Sequence, residues 1–382
     1  MRLDFPIYLD YNGTTPIDPE VAQALLPYLT ELFGNPSSTH AYGHPAHDAL
    51  DAARRSVTEF IGGSPDEIIF TGGGSESDNL AIQGVAMALK DRGDHIITQQ
   101  TEHPAILKCC RYLETHLGFK VTVLPVDRTG LVDQTALADA ITAKTVLITI
   151  MHANNETGTI QPIAKLSTIA HEHGVLFHSD AAQSAGKIKT KVDELGVDLL
   201  TLVGHKLYAP KGIGALYVRA GTPLHSVIHG ASQEQGHRAG TENVPYIVGL
   251  GVACRLANEK MGSDIPRIRE LRDRFQQRLA AQGWLLNGHP VERLPNTLNM
   301  SMIGLDGEEI LHHAKDIAAS TGAACHAGRT EPSSVLLSMG IPRDQALGAI
   351  RLSLGRWTTE EQVDIAAAAL ERSVSALARH SA

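Results

Sequence analysis

The sequence predicts an α/β protein: a large domain with a mainly parallel seven-stranded sheet, followed by a smaller α+β domain at the C-terminal end. Between about residues 65 and 220, short apolar runs alternate with amphipathic stretches, which is the pattern of repeated βαβ units. After about residue 260 the pattern changes to a charged amphipathic stretch, shorter apolar runs and an Ala-rich end. The predicted large domain is 15–259, and the small domain combines 1–14 with 260–382.

The predicted strands of the large domain are short runs rich in β-branched residues, as expected for strands buried on both faces. They are EIIF (67–70), HIITQ (95–99), VTVLPV (121–126), TVLITIM (145–151), VLFHS (175–179), LLTLV (199–203) and GALYV (214–218). Amphipathic stretches such as SESDNLAIQGVAMALK and PIAKLSTIAHEHG fit as helices between them.

The small domain is predicted to begin with a charged helix over 261–283. Strands are expected within TLNMSMI (297–303) and AIRLSLG (349–355), with a final helix after TTEEQ (358–362). The short N-terminal run IYLD (7–10) is expected to pack with this domain rather than with the large one.

Composition excludes several classes of function. The formal charge is −9 and no long Lys/Arg run is present, so nucleic acid is not an expected partner. No stretch approaches the roughly 18 apolar residues of a membrane helix, and the N-terminal residues lack the apolar segment of a signal peptide. The four cysteines are too few and too irregularly spaced for a disulfide framework or a metal site. We therefore expect a cytoplasmic protein that is not associated with a membrane and has no metal site.

Polar residues follow the carboxyl ends of the predicted strands, where open α/β sheets bind their ligands. The Gly-rich turn TGGGSES (71–77) opens a helix whose free N–H groups suit a phosphate. The residues that follow later strands are His103, Asn155, Asp180, Gln183 and Lys206. A lysine for a Schiff base, an aspartate for a protonated pyridine nitrogen and a phosphate cradle are together what pyridoxal phosphate (PLP) requires.

Two lysines compete as the amine that would hold this cofactor. Lys206 follows its strand directly, and its apolar and Gly neighbours in GHKLYAPKGIGALY (204–217) favour desolvation and a lowered pKa. Lys211 lies in a Pro/Gly turn, where a solvated lysine is the ordinary expectation. We therefore predict Lys206.

These motifs resemble the class V aminotransferase superfamily of fold-type I PLP enzymes, and specifically its cysteine desulfurases and selenocysteine lyases. The resemblance runs nearly from end to end, through YLDYNGTTP (8–16), GNPSS (34–38), FTGGGSESDNLAI (70–82), TEHPAIL (101–107), ANNETG (153–158), DAAQ (180–183), GHK (204–206), RAGTEN (238–243), LPNTLN (294–299), GAAC (322–325) and RLSLGR (351–356). It implies a homodimeric enzyme that converts L-cysteine to L-alanine and leaves a persulfide on Cys325, which passes its sulfur to an acceptor protein.

The resemblance also implies a role for each residue of the site. Lys206 would carry the Schiff base, Asp180 would face the pyridinium nitrogen, Gln183 would bind the ring hydroxyl, and His103 would stack on the ring and carry protons. The phosphate-binding residues would be Gly74, Ser75, His205 and, from a second subunit, Thr241. Asn155 would touch both cofactor and substrate. The other substrate-binding residues would be Asn12 and Arg356, the latter at the carboxylate.

Cys325 occupies the position of the sulfur-accepting cysteine in that family. Its segment, STGAACHAGRTEPSSVL (320–336), is small and polar, and nearby His326 and Arg329 favour a reactive thiolate. A buried structural thiol is the alternative. Cys109, Cys110 and Cys254 lie in helix-like segments and are expected in the core.

Two other functions compete with the desulfurase. One is a selenocysteine lyase acting on L-selenocysteine, or another PLP β-lyase. Two departures from the family pattern leave this alternative open: Val203 stands where desulfurases usually have a hydroxyl residue, and Pro104 is not the residue expected after the stacking histidine in either subgroup. The other is an idle scaffold or sulfur-relay protein, which the presence of Lys206, Asp180 and Arg356 disfavours. The released chalcogen has three compatible destinations: cluster assembly, nucleotide thiolation or selenium recycling.

Overall fold

A computed structural model describes residues 5–322, 324–326 and 329–380, and the side chains at 324–326, 329, 330 and 380 lie outside that description. The strands, in chain order, are β1 Ile7–Tyr8, β2 Ile68–Thr71, β3 His95–Gln99, β4 Lys120–Leu124, β5 Thr145–Thr149, β6 Leu176–Asp180, β7 Leu199–Val203, β8 Gly214–Val218, β9 Leu285–Asn287, β10 Thr297–Ser301, β11 Ile317–Ala318, β12 Ala324–His326, β13 Arg329–Glu331 and β14 Ala349–Ser353.

The helices are α1 Pro19–Leu25, α2 Pro27–Thr30, α3 Gly43–Ile61, α4 Gly74–Ala88, α5 Pro104–Leu117, α6 Gln134–Ala140, α7 Ile163–Glu172, α8 Val192–Leu195, α9 Val244–Ala280, α10 Gly307–His313, α11 Ser334–Ser338, α12 Arg343–Leu347 and α13 Glu360–His380. Single-turn 3-10 helices occupy Pro65–Glu67, Gly204–Lys206 and Glu234–Gly236.

The central sheet has seven strands in the order β2-β8-β7-β6-β5-β3-β4. Only β8 runs antiparallel to its neighbours in this sheet, and the other neighbouring pairs are parallel. The predicted fold class is therefore confirmed. The runs at 95–99, 199–203 and 214–218 match their strands residue for residue, and the other four differ from their strands by one or two residues at an end.

The C-terminal part forms a separate sheet in the order β14-β10-β9. The N-terminal strand β1 pairs with β11, which lies in this part of the chain, as the sequence predicted. Helix α9 is continuous across the predicted boundary at 259/260. Leu9 packs with Phe275, Leu298 and other residues beyond 260 in one apolar cluster, separate from the clusters around the large sheet. The two-domain division remains a prediction, which these separate cores support.

The local sequence explains the elements that position the site. Strands β5 and β7 are buried along their whole length, which suits a parallel sheet covered by helices on both faces. Asp133 caps α6 by accepting the N–H groups of Thr135 and Ala136. Within the described part of the chain, no helix has both the length and the apolar character needed to cross a membrane.

Candidate active site

A cavity of about 260 Å³ opens at the carboxyl ends of the parallel strands. It brings together most of the residues that the sequence singled out. Those that line it are Asn12, Gly74, Ser75, His103, Asn155, Asp180, Gln183, His205 and Lys206. Strand order explains this convergence, because the ends of β3, β5, β6 and β7 are neighbours at one edge of the sheet.

Lys206 lies on the 3-10 turn that follows β7. Its Nζ donates hydrogen bonds to the backbone carbonyl oxygens of Asn12 and Gly13, the latter at 2.6 Å. Burial, reinforced by the nearby positive charge of Arg351, lowers the pKa of Lys206 to about 8. Lys211 is exposed and lies outside the cavity. Of the two lysines, only Lys206 is placed to react with a molecule in the cavity.

Asp180 is the last residue of β6 and is 6% exposed. Burial raises the pKa of its carboxyl group, although the N–H of Ala182 donates to Oδ1 at 2.7 Å and favours the charged form. A positive charge placed against this carboxylate would favour its ionised state further. The site therefore fits a protonated ring nitrogen.

His103 is the N-cap of α5, and its Nδ1 accepts the N–H of Ala105 at 3.1 Å. Because Nδ1 is an acceptor, the proton of the neutral imidazole lies on Nε2. Partial desolvation at the cavity wall lowers the pKa of His103, which favours the neutral form of the ring. This ring can present a flat face and one N–H to a ligand.

The start of α4 forms part of the cavity wall, through Gly74 and Ser75. A Cβ atom on Gly74 would lie 2.7 Å from Cγ2 of Val203, so the close approach of helix and strand requires glycine here. Ser75 is exposed in the first turn, where backbone N–H groups are free. His205 contacts Oγ1 of Thr14 through Nδ1 at 3.1 Å, and burial lowers the pKa of His205 to about 4. Val203 contributes a methyl group rather than a hydroxyl.

Asn12 lines the cavity but is only 1% exposed. Both of its side-chain N–H groups are already donated, to Oγ1 of Thr297 at 2.8 Å and to the carbonyl oxygen of Asn155 at 3.2 Å. The amide therefore has no spare donor for a substrate. The structure places it as part of the cavity wall.

The expectation that Arg356 binds a substrate carboxylate is contradicted by its position. Its guanidinium pairs with Asp18 at 2.7 Å and with Asp264 at 3.0 Å, and it lies 4.3 Å above the ring of Tyr208. It does not line the cavity. Nε and Nη1 of the guanidinium are thus both paired with carboxylates, and Arg356 lies three residues beyond the end of β14.

Arg351 lies in the cavity instead. It belongs to β14, and its side chain donates to the carbonyl oxygen of Asn155 at 3.1 Å and to Asp10 at 2.6 Å. The sequence itself contains a pattern that points to Arg351. Apolar Ile350 and Leu352 alternate with Arg351 and Ser353, so the polar pair must face away from the core.

Asp78 also lines the cavity and was not singled out by the sequence. It lies three residues after Ser75 on α4, a spacing that puts both side chains on one face of the helix. It is 1% exposed, and burial raises the pKa of its carboxyl group well above the ordinary value. Its Oδ1 lies 3.8 Å from Nε2 of His178.

Besides Arg356, two predicted residues are not among the described side chains that line the cavity. Thr241 is exposed and outside it. Cys325 belongs to β12, which pairs with β13, but its side chain lies outside the described residues. The other cysteines, Cys109, Cys110 and Cys254, are buried free thiols, which confirms their assignment to the core.

The chemistry of the donor set fits PLP. The cavity holds an amine of lowered pKa, a buried carboxylate, a flat imidazole and a glycine-bounded helix start, which are the groups that this cofactor requires. Among the residues that the structure describes, no group of three or more His, Cys, Asp or Glu side chains could hold a metal ion.

Comparisons with known proteins agree with this geometry. The model of the family "Aminotransferase class-V" matches residues 7–365. A cysteine desulfurase IscS from Dictyoglomus turgidum is 49% identical over 375 residues, which cover 97% of this chain and 95% of that protein. A solved NifS-like protein superposes with a TM-score of 0.92 at 36% identity, covering 97% of this chain and 100% of the other. SspA, solved in complex with cysteine, has a TM-score of 0.81 at 36% identity, covering 92% and 100%.

Proposed function

Because the chain belongs to the class-V aminotransferase family, we propose that it is a PLP-dependent cysteine desulfurase, which converts L-cysteine to L-alanine and transfers the sulfur through Cys325. The observation that carries this proposal is the placement of Lys206, with its lowered pKa, in one cavity with Asp180 and the glycine-bounded start of α4. The relative from Dictyoglomus turgidum, which is named a cysteine desulfurase, favours this activity over a selenocysteine lyase.

Several residues of this chain would hold the cofactor. Lys206 would bind it covalently, Asp180 would keep its ring nitrogen protonated, and the start of α4, with Ser75 and His205, would bind its phosphate. When bound, PLP supplies an electron-withdrawing ring that accepts the charge left when a substrate loses its Cα proton.

Substrate orientation falls to Arg351 rather than to Arg356. Arg351 is the guanidinium of the cavity, and such a group binds a carboxylate through two parallel hydrogen bonds. To do so it would exchange its contact with Asp10 for the substrate. Asn155, whose carbonyl oxygen accepts from Arg351, would keep the guanidinium directed toward the cavity.

Proton transfer falls to Lys206 and His103. An amine with a pKa of about 8 is in part unprotonated at neutral pH, so Lys206 can remove the Cα proton once substrate has displaced it. His103 would take part as its imidazolium form, from which Nε2 can release a proton, whereas the Nε2–H of the neutral ring can donate only a hydrogen bond. Neither role requires a group from outside the cavity.

Sulfur leaves by attack of the Cys325 thiolate on the sulfur atom of the substrate. A sulfur–sulfur bond forms, the bond between Cβ and sulfur breaks, and the electron pair stays on the carbon, which becomes the methyl group of alanine after protonation. The persulfide on Cys325 would then pass its terminal sulfur to the thiol of an acceptor protein.

A paired substrate assay tests the function. Purified protein loaded with PLP is given L-cysteine or L-selenocysteine, and alanine is measured as the common product. We expect kcat/KM for L-cysteine to fall at least tenfold when Cys325 is replaced by Ser. Alanine formation from L-selenocysteine alone would contradict the desulfurase and favour the lyase.

We also propose a homodimer in the cytoplasm. Thr241 is exposed and outside the cavity of its own chain, as expected if it completes the phosphate site of a second copy. The free thiols at Cys109, Cys110 and Cys254 suit a reducing compartment. Light scattering of the eluting protein should give twice the mass of the 40.9 kDa chain, and a single-chain mass would contradict the dimer.

A further inference from the structure

Lys187 lies behind the wall of the cavity, in the turns that follow β6. Its Nζ donates to Oε1 of Gln183 at 3.0 Å and to Oδ1 of Asn12 at 3.2 Å. No carboxylate among the residues that the structure describes forms an ion pair with it. A partly buried amine is therefore held by the oxygens of two amides, and the reaction proposed above does not use it.

This arrangement decides which way the amide of Gln183 faces. The oxygen and nitrogen ends of an amide have nearly the same shape, so hydrogen-bond partners determine the orientation. Because Lys187 presents N–H groups, the oxygen of Gln183 turns toward it and the nitrogen turns away. One N–H of Nε2 is donated to the carbonyl oxygen of Asn12 at 3.0 Å. The other N–H is what Gln183 can offer to the cavity that it lines.

The same amine holds Asn12. Oδ1 of Asn12 accepts from Lys187 and also from Nδ2 of Asn296 at 2.9 Å. The backbone carbonyl of Asn12, in turn, accepts from Nζ of Lys206. Lys187 thus fixes two neighbouring amides, one that faces the cavity and one that supports the reactive lysine.

We propose that Lys187 is a positioning residue, which holds the amides of Gln183 and Asn12 so that Gln183 presents an N–H rather than an oxygen to the ring oxygen of PLP. The proposal rests on the proposed function, because it presumes that PLP binds in this cavity. A ring oxygen with negative charge is stabilised by a donor and repelled by an amide oxygen. Because Lys187 does not line the cavity, its hydrogen bonds reach the site through Gln183 and Asn12.

A double-mutant cycle tests the proposal. The dissociation constant of PLP from the apo-protein is measured for the wild type, Lys187→Met, Gln183→Leu and the double variant. We expect each single change to weaken PLP binding about tenfold, the effect of losing a hydrogen bond to a charged group. The double variant should be no more than about twofold weaker than Gln183→Leu, because both changes remove the same contact. The absorption band of bound PLP should change in the same way in all three variants.

The matched control is Lys189→Met, which makes the same change at an exposed lysine two residues further along. It should alter neither affinity nor spectrum. Additive losses in the cycle would overturn the proposal, since they would show that Lys187 acts independently of Gln183. Should Lys187→Met fail to fold, a crystal structure of the wild-type protein with PLP decides. A hydrogen bond between Gln183 and the ring oxygen, with Lys187 still bonded to Gln183, would support the proposal. A Gln183 side chain beyond hydrogen-bonding distance of the ring oxygen would overturn it. Failure of the wild type to bind PLP at all would instead contradict the proposed function.

Discussion

Because Arg351 lines the cavity and Arg356 does not, replacing each arginine should have a different main effect: loss of activity for Arg351 and loss of stability for Arg356. Replacing Arg351 by Met removes the guanidinium of the cavity, where it would bind the substrate carboxylate. Hydrogen bonds to charged groups are worth about 1.5–3 kcal/mol, so kcat/KM for L-cysteine should fall by roughly 10- to 150-fold. The stability cost should be small, because the partner Asp10 is 28% exposed and can be solvated.

Replacing Arg356 by Met should have the reverse effect. It leaves Asp18, only 5% exposed, without its closest cation, and a buried carboxylate that loses its partner costs about 3–5 kcal/mol of unfolding free energy. Lys260, whose Nζ is 3.9 Å from Asp18, compensates in part, so a loss of about 3 kcal/mol is expected. The value of kcat/KM should change by less than about threefold.

The assay combines steady-state kinetics with urea unfolding of both variants, each loaded with PLP. Two results would contradict these roles: a strong rise in KM for Arg356→Met at wild-type stability, or unchanged KM and kcat for Arg351→Met. Arg351→Lys is the informative companion, because a lysine keeps the charge but cannot form the paired hydrogen bonds of a guanidinium.

Three further predictions concern the cofactor and the sulfur. Gly74→Ala should weaken PLP binding by about 1–3 kcal/mol in a titration of apo-protein, because its Cβ would lie 2.7 Å from Val203. Adding Val203→Ala to that variant should restore part of the affinity, and a double variant with no recovery would argue against the contact. Covalent capture of PLP by apo-protein should accelerate with pH up to about 8 and then level off, because above the lowered pKa of Lys206 the amine is already unprotonated; a rate still rising at pH 10 would contradict a lowered pKa. Cys325→Ser should keep the yellow colour of bound PLP and lose the persulfide detected by mass spectrometry, and a persulfide elsewhere on the chain would refute the role of Cys325.

The sequence predicts the sheet well because strands buried on both faces have a simple signature. LLTLV and GALYV are apolar, β-branched in part and bounded by polar or glycine residues, and they become β7 and β8 without a shift. The residues that follow such strands converge by topology alone, which is why Asp180, Gln183 and Lys206 were predicted together.

Contacts between distant segments are what the sequence did not reveal. Arg356 and Arg351 both stand in RLSLGR, and the folded structure shows that Arg351 is the one that lines the cavity. The carboxylates that hold Arg356, Asp18 and Asp264, come from segments 338 and 92 residues away. The contacts of Lys187 with Asn12 likewise join residues 175 positions apart. Side-chain alternation in β14 was the one local signal that pointed to Arg351, the arginine that lines the cavity.

The proposal that Lys206 holds PLP is tested most directly by finding which lysine binds the cofactor. Protein loaded with PLP is reduced with borohydride, digested and analysed by mass spectrometry. We expect the reduced adduct on the peptide that contains Lys206, and its loss in Lys206→Ala. An adduct on Lys211 or Lys187, or an equal yield of adduct in Lys206→Ala, would contradict it.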